Sequence, residues 1–285
     1  VVNAAGTWMW NNRTHGELKW TTIETKYFNI HYHQNLDKIA LQGASIAEQI
    51  RPTLMKQMGL EYLPTLDIIF TAEDEVLNGF AVPANYTIIW VDQNDAALWT
   101  GDEKWLRTVL AHELQHLVYF NTVKGPWWLP EPMNSLVHGT PAWIVEGIAE
   151  YFTEEWRPFR YELSHRYHVL RNTVHKIQDP HNDGYSKSLY LADRFGDSTI
   201  SKILNHRNKF KFLDFKESFK KHTGITLKQF NEDWRRQMNT FYFSQRSQKE
   251  RLEDAGTIRK LPIKRVLSFD YFSDTSRIAM ITRLS

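Results

Sequence analysis

One spacing constrains this 285-residue chain more than any other feature: His112 and His116 stand four apart, with Glu113 between them, in His112-Glu113-Leu114-Gln115-His116. Four residues make roughly one helical turn, so on a helix both imidazoles project from one face. The flanking residues agree with a helix. Leu106, Val109, Leu110, Leu117 and Val118 recur at helical spacing. Thr100-Gly101-Asp102-Glu103 has the form of a capping box. The helix is therefore expected from about Asp102 to Phe120. Two neutral imidazoles so placed can share one Zn²⁺, each at about 2.0–2.1 Å. Glu113, next to the first of them, can lean toward a water and act as a base.

The chain holds twelve histidines, so the pair alone could arise by chance, and a third ligand is needed to decide. A catalytic zinc takes three protein ligands and keeps one position open. The best third candidate is Glu146, in Trp143-Ile144-Val145-Glu146-Gly147-Ile148-Ala149-Glu150-Tyr151. Thr140 and Pro141 read as the cap and first residue of a helix reaching about Thr153. Its apolar residues imply burial, and a buried carboxylate needs a partner such as a metal. Gly147 permits close approach of another helix. Glu150, one turn on, can accept the second N–H of a ligating histidine and set its tautomer. The plain alternative is that Glu146 and Glu150 form a solvated helix face.

The rest of the chain reads as α+β. Strands are expected over 27–33, 65–70 and 87–91, the last preceded by an irregular stretch from Asn78 to Asn85. A helix is expected from about Leu36 to Met58, stopped by Gly59. Later helices are expected over about 160–177, 185–195, 198–206, 212–222 and 226–245, with Gly196 and Gly224 at turns or caps. Two final strands, 263–269 and 277–282, cannot close a sheet by themselves. The absence of cysteine excludes disulfides, thiolate metal sites and cysteine nucleophiles. A formal charge of +2 marks neither a nucleic-acid nor a membrane partner. No apolar run approaches the ~18 residues of a membrane span. The chain opens Val1-Val2-Asn3, without a charged-then-apolar leader, which is expected of a processed or trimmed product.

His112-Glu113-Leu114-Gln115-His116 followed by Trp143-Ile144-Val145-Glu146-Gly147-Ile148-Ala149-Glu150-Tyr151-Phe152 resembles the gluzincin metallopeptidases, including thermolysin and the zinc aminopeptidases. The likeness is strongest to bacterial gluzincin-like peptidases that precede a TolB-like β-propeller. It extends over most of residues 15–245, including Asn78–Ala81, Gly184–Tyr190 and Arg194-Phe195-Gly196. It implies an N-terminal mixed-sheet subdomain with a substrate edge strand over 1–100, and a helical zinc-binding subdomain over 101–250 with the active-site helix between them. Residues 251–285 would then be a linker and the first strands of a propeller. It implies one catalytic Zn²⁺ on His112, His116 and Glu146, a supporting Glu150, a peptide or protein substrate, and export from the cell. Tyr185 becomes the expected donor to the oxyanion, with Tyr190 and His181 as rivals.

The zinc aminopeptidases hold a substrate amino terminus with a G-x-M-E-N motif. Here Asn78-Gly79-Phe80-Ala81-Val82-Pro83 has no acidic residue, which favours internal cleavage. Pro126-Trp127-Trp128-Leu129-Pro130-Glu131-Pro132 reads equally as a cleft wall or as a packed loop. The basic runs at 206–211 and 220–222 read as solvated loops or helix ends. His31 and His33 are expected on a strand surface, and His165 and His168 exposed on a helix.

Overall fold

In the computed structural model, residues 17–72, 78–91, 102–153, 159–174, 180–250, 254, 256–257, 265–272 and 277–283 are described. The expected capping residues Thr100 and Gly101 lie outside these. Contacts divide the chain into two compact units, Val1–Thr240 and Phe241–Ser285.

The first unit is a mixed α+β fold. Strands β1 (Trp20–Glu24), β2 (Phe28–His33), β3 (Leu66–Thr71), β4 (Asn78–Val82) and β5 (Tyr86–Trp90) form one sheet in the order β1-β2-β3-β5-β4. The inner pairs β2–β3 and β3–β5 are parallel, and both edge strands run antiparallel to their neighbours. Helix α1 (Asp37–Met58) makes the crossover between the parallel strands β2 and β3, and ends at Gly59 in the left-handed region (φ 65°). Leu66, Ile68 and Phe70 of β3 are buried on one side, and Ile69 joins Ile88 and Trp90 in a cluster on the other. A near-continuous apolar run is what a strand covered on both faces requires.

The segment from Asn78, expected to be irregular, forms β4, one of the two edges of the sheet. Pairing with β5 from Asn78↔Trp90 to Val82↔Tyr86 outweighs the poor strand propensity of Asn78 and Gly79. The edge strand β1, with its β-branched Thr21, Thr22 and Ile23, was not anticipated.

The helices that follow are α2 (Asp102–Val123), α3 (Glu131–His138), α4 (Ala142–Thr153), α5 (Phe159–Leu170), α6 (Pro180–Phe195), α7 (Ser198–Asn205), α8 (Phe215–Thr223) and α9 (Leu227–Ser247). Helix α2 packs on α1, β4 and β5, then on α4, and α4 packs on α6. This succession sets the HELQH helix between the sheet edge and the later helices. Helix α6 starts five residues before its expected beginning, with Pro180 supplying a first-turn residue that needs no N–H partner. Gly196 (φ 92°) and Gly224 (φ 76°) occupy the left-handed positions after α6 and α8.

His165, expected exposed, is fully buried edge-on against Trp234, with ring centroids 5.7 Å apart. His168 bonds Thr173 Oγ1 at 3.0 Å. His31 and His33 are likewise engaged. His31 contacts Asp67 through Nε2 at 3.1 Å and Thr22 through Nδ1 at 2.9 Å. His33 is buried, and its Nε2 accepts from the Ala72 N–H at 3.1 Å.

In the second unit, β6 (Arg265–Phe272) and β7 (Arg277–Arg283) form an antiparallel two-stranded sheet. Phe269, Tyr271, Ile278 and Ile281 are all exposed on it.

Candidate metal centre

Helix α2 is buried on nearly every side. Leu106, Leu110, Leu114, Leu117 and Val118 fix it in the core, and Glu113 and His116 are carried inward with them. Ionisable groups are held inside only when something compensates for the water they lose.

The compensation is mutual. His112 Nε2 and His116 Nε2 lie 3.1 Å apart. Glu146 Oε2, from α4, lies 3.5 Å from the first and 3.3 Å from the second. These three atoms form a nearly equilateral triangle. Donors on a tetrahedral ion with ~2.0–2.1 Å bonds stand about 3.3 Å apart, so the three edges match one face of such an ion. Glu146 Oε2 is buried and makes no hydrogen bond. Two imidazole nitrogens facing one buried carboxylate oxygen outside hydrogen-bond geometry fit a shared cation better than a proton network. His112, His116 and Glu146 thus constitute a candidate metal-binding group.

The electrostatics run the same way. Burial opposes ionisation of Glu146, but His112 and His116 outweigh it and hold the carboxyl far below its ordinary range. Burial likewise opposes protonation of His112, and Glu146, Glu113 and Glu150 overcome it, so its pKa rises. Glu113 behaves oppositely to Glu146. Burial is the largest influence and pushes its pKa up, assisted by the negative charge of Glu146.

The sheet edge sets the position of Glu113. The backbone of Ala81 in β4 favours the ionised form of the Glu113 carboxylate, against burial. Its Cγ and Oε1 would lie only 2.5 and 2.6 Å from a Cβ placed on Gly79. Gly79 therefore leaves the space in which the Glu113 side chain sits. Gly79→Ala is expected to displace the Glu113 carboxylate and, where that carboxylate serves as a general base, to lower turnover by up to about a hundredfold, the low end of general-base contributions, while metal content stays unchanged. Parallel measurements of turnover and bound metal check this.

Helices α4 and α6 meet through glycine. A Cβ on Gly147 would fall 2.5 Å from the Gly184 carbonyl carbon, and one on Gly184 would fall 2.8 Å from Gly147 Cα. The contact brings the first turn of α6 over the two glutamates. His181 Nδ1 donates to Glu150 Oε1 at 2.9 Å and stands 3.5 Å from Glu146 Oε2. Glu150 is buried, and its Oε1 is 3.9 Å from His112 Nδ1. His112, Glu150 and His181 form a second convergent group beside the first. His181 was weighed on sequence only as a rival to Tyr185. Its contact with Glu150 had no sequence signal, because it depends on the glycine crossing thirty residues away.

Tyr185 lies one turn beyond His181 on α6, buried, with its ring 6.5 Å from that of Tyr151. The other rival, Tyr190, packs on Phe230 and accepts from Arg194 Nη1 at 2.7 Å.

No protein-family model matches this chain, and no curated protein matches it. Among solved structures it is similar to the crystal structure of an aminopeptidase N family protein from Idiomarina loihiensis. Identity is 15% and the TM-score 0.47, over 77% of this chain and 46% of that one. The chain thus spans less than half the length of that neighbour.

Proposed function

We propose that this chain is a zinc-dependent peptidase domain of the gluzincin type that cleaves internal peptide bonds. The observation that carries the reading is the donor triangle of His112, His116 and Glu146, closed on a buried carboxylate oxygen that makes no hydrogen bond. Zinc on these residues would supply a Lewis acid for the scissile carbonyl and acidify a coordinated water.

The chain's own residues do the remaining work. Glu113 takes a proton from the attacking water, holds it, and returns it to the leaving amine. A carboxyl whose pKa burial has raised is suited to that exchange. Tyr185 is assigned the donation to the oxyanion, from the same face of α6 as His181. Glu150 orients the imidazoles around the ligand set. The unpaired side of edge strand β4 offers main-chain groups to an extended peptide. The lack of an acidic residue over 78–83 favours internal over amino-terminal cleavage. The strand pair 265–283 is read as the start of a β-propeller, and export of the protein accompanies this reading.

The test is metal content together with cleavage of a mixed-sequence peptide pool. One zinc per chain and internal cleavage, lost on chelation and restored by zinc, are expected. Release of amino-terminal residues alone would make it an aminopeptidase. Bound zinc with no cleavage of any peptide would make it a silent binding module, and a chain that takes up no zinc overturns the reading.

A further inference from the structure

A cavity of about 400 Å³ opens between the end of α5 and the middle of α9. Small-molecule sites span roughly 300–1,000 Å³. One wall is the turn that leaves α5. There Asn172 stands in the left-handed region (φ 55°), with its N–H donating to the Val169 carbonyl at 2.9 Å. The Thr173 N–H donates to the His168 carbonyl at 2.7 Å, and Val174, which is buried, is the apolar part of the lining. The other wall is α9, which contributes Glu232, Arg235, Arg236 and Asn239. Within that stretch Trp234 is buried and donates through Nε1 to Ser186 Oγ of α6 at 2.9 Å. Both walls are thus held by contacts of their own, and the cavity needs no ligand to form it.

The charges in the lining specify the occupant. Arg235 is half-buried, and its Nε donates to the Asn231 carbonyl at 3.3 Å. Among the described residues, neither Arg235 nor Arg236 makes an ion pair. Glu232 lines the same cavity, one turn before Arg236, and pairs with neither arginine. Asp233 is taken by Arg194 at 2.6 Å. Two guanidiniums against one carboxylate leave the lining positive. A half-buried guanidinium without a counter-ion has given up water for nothing in return, and an anion would restore the balance. The guanidinium fork matches the oxygens of a carboxylate or a phosphate. A carboxylate would satisfy one arginine. A phosphate monoester, with roughly two negative charges at pH 7, would satisfy both. The amides of Asn172 and Asn239 can donate and accept, and Glu232 accepts only, which suits hydroxyl groups on the rest of the ligand.

We infer that this cavity binds the phosphate monoester of a small hydroxyl-bearing molecule, with Arg235 and Arg236 on the phosphate and Asn172, Asn239 and Glu232 on the hydroxyl groups. The inference stands independently of the peptidase reading, since none of these residues belongs to the metal centre. Titration calorimetry with glucose 6-phosphate, inorganic phosphate and glucose as separate probes tests it. Glucose 6-phosphate is expected to bind at one site per chain and to raise the unfolding temperature. Inorganic phosphate should bind at least about tenfold more weakly, and glucose not measurably. Arg235→Gln and Arg236→Gln, made singly, should each weaken glucose 6-phosphate about tenfold or more, the scale of a lost hydrogen bond to a charged group. Arg236 is exposed, so its replacement leaves folding intact, and an unchanged unfolding temperature without ligand verifies this. Asn239→Ala should weaken glucose 6-phosphate while leaving inorganic phosphate unchanged, a split that a purely structural role would not produce. Absence of saturable binding overturns the inference, as does equal binding of inorganic phosphate. So does binding indifferent to both arginine substitutions, which is how phosphate held at the metal centre would behave.

Discussion

Glu113→Gln is expected to lower peptide hydrolysis by about two to four orders of magnitude, the range lost with a general base, and to leave bound zinc unchanged. The substitution changes little but the chemistry. Glutamine has nearly the shape of glutamate, so it fits the space left by Gly79. None of the three converging atoms, His112 Nε2, His116 Nε2 and Glu146 Oε2, belongs to residue 113. The variant loses only the ability to take a proton. Glu146→Gln is the contrasting case. It replaces an ionised ligand oxygen with a neutral amide, so metal and activity should fall together. Metal content and kcat/KM, measured on the same preparations, separate the two outcomes. Cleavage by Glu113→Gln at the unsubstituted rate would remove Glu113 from the mechanism.

The parts of this site legible in the sequence are those encoded within one helix. His112, Glu113 and His116 declare themselves by spacing, because helical geometry converts a separation of four into a shared face. Glu146 was legible for a related reason: a carboxylate among Ile144, Val145 and Ile148 implies burial and hence a partner. What escaped was set by contacts between distant segments. Nothing around Gly79 shows that its missing side chain makes room for Glu113, because that contact is made only when β4 lies against α2. His165 sits in a sequence of mixed polarity and looked solvent-facing, yet Trp234, nearly seventy residues on, covers it. β4 formed against local propensity because β5 supplied a ladder. The segment Pro126–Pro132 reads equally as a cleft wall or a packed loop, and the structure leaves Trp127 and Trp128 exposed, with α3 beginning at Glu131.

Gly147→Ala is expected to destabilise the protein by about 1–2 kcal/mol net, the cost of about 2–3 kcal/mol for overpacking a tight core less the gain from a better helix former. The two effects oppose each other, and magnitude decides between them. Alanine in a helix interior gains about 1 kcal/mol over glycine. Against that, its Cβ would stand 2.5 Å from the Gly184 carbonyl carbon and 2.6 Å from Ser188 Oγ. The serine can rotate, but the Gly184 backbone cannot, so α4 and α6 must separate. That separation loosens the α4–α6 interface. Midpoint unfolding temperature should drop by about 2–8 °C, taking about 2–4 °C per kcal/mol for a chain of this size. Gly256→Ala, with nothing within 4 Å of the added carbon, should leave it unchanged. The displacement also reaches the metal centre. Glu146 precedes Gly147, and Glu150 follows one turn later, held to His181 of α6 at 2.9 Å. Parting the helices stretches that bond and moves Glu146 relative to the α2 histidines, so zinc affinity should fall in the same variant. An unfolding temperature equal to or above the parent's would show that the two helices do not meet through these glycines, and the placement of His181 over the glutamates would fall with it.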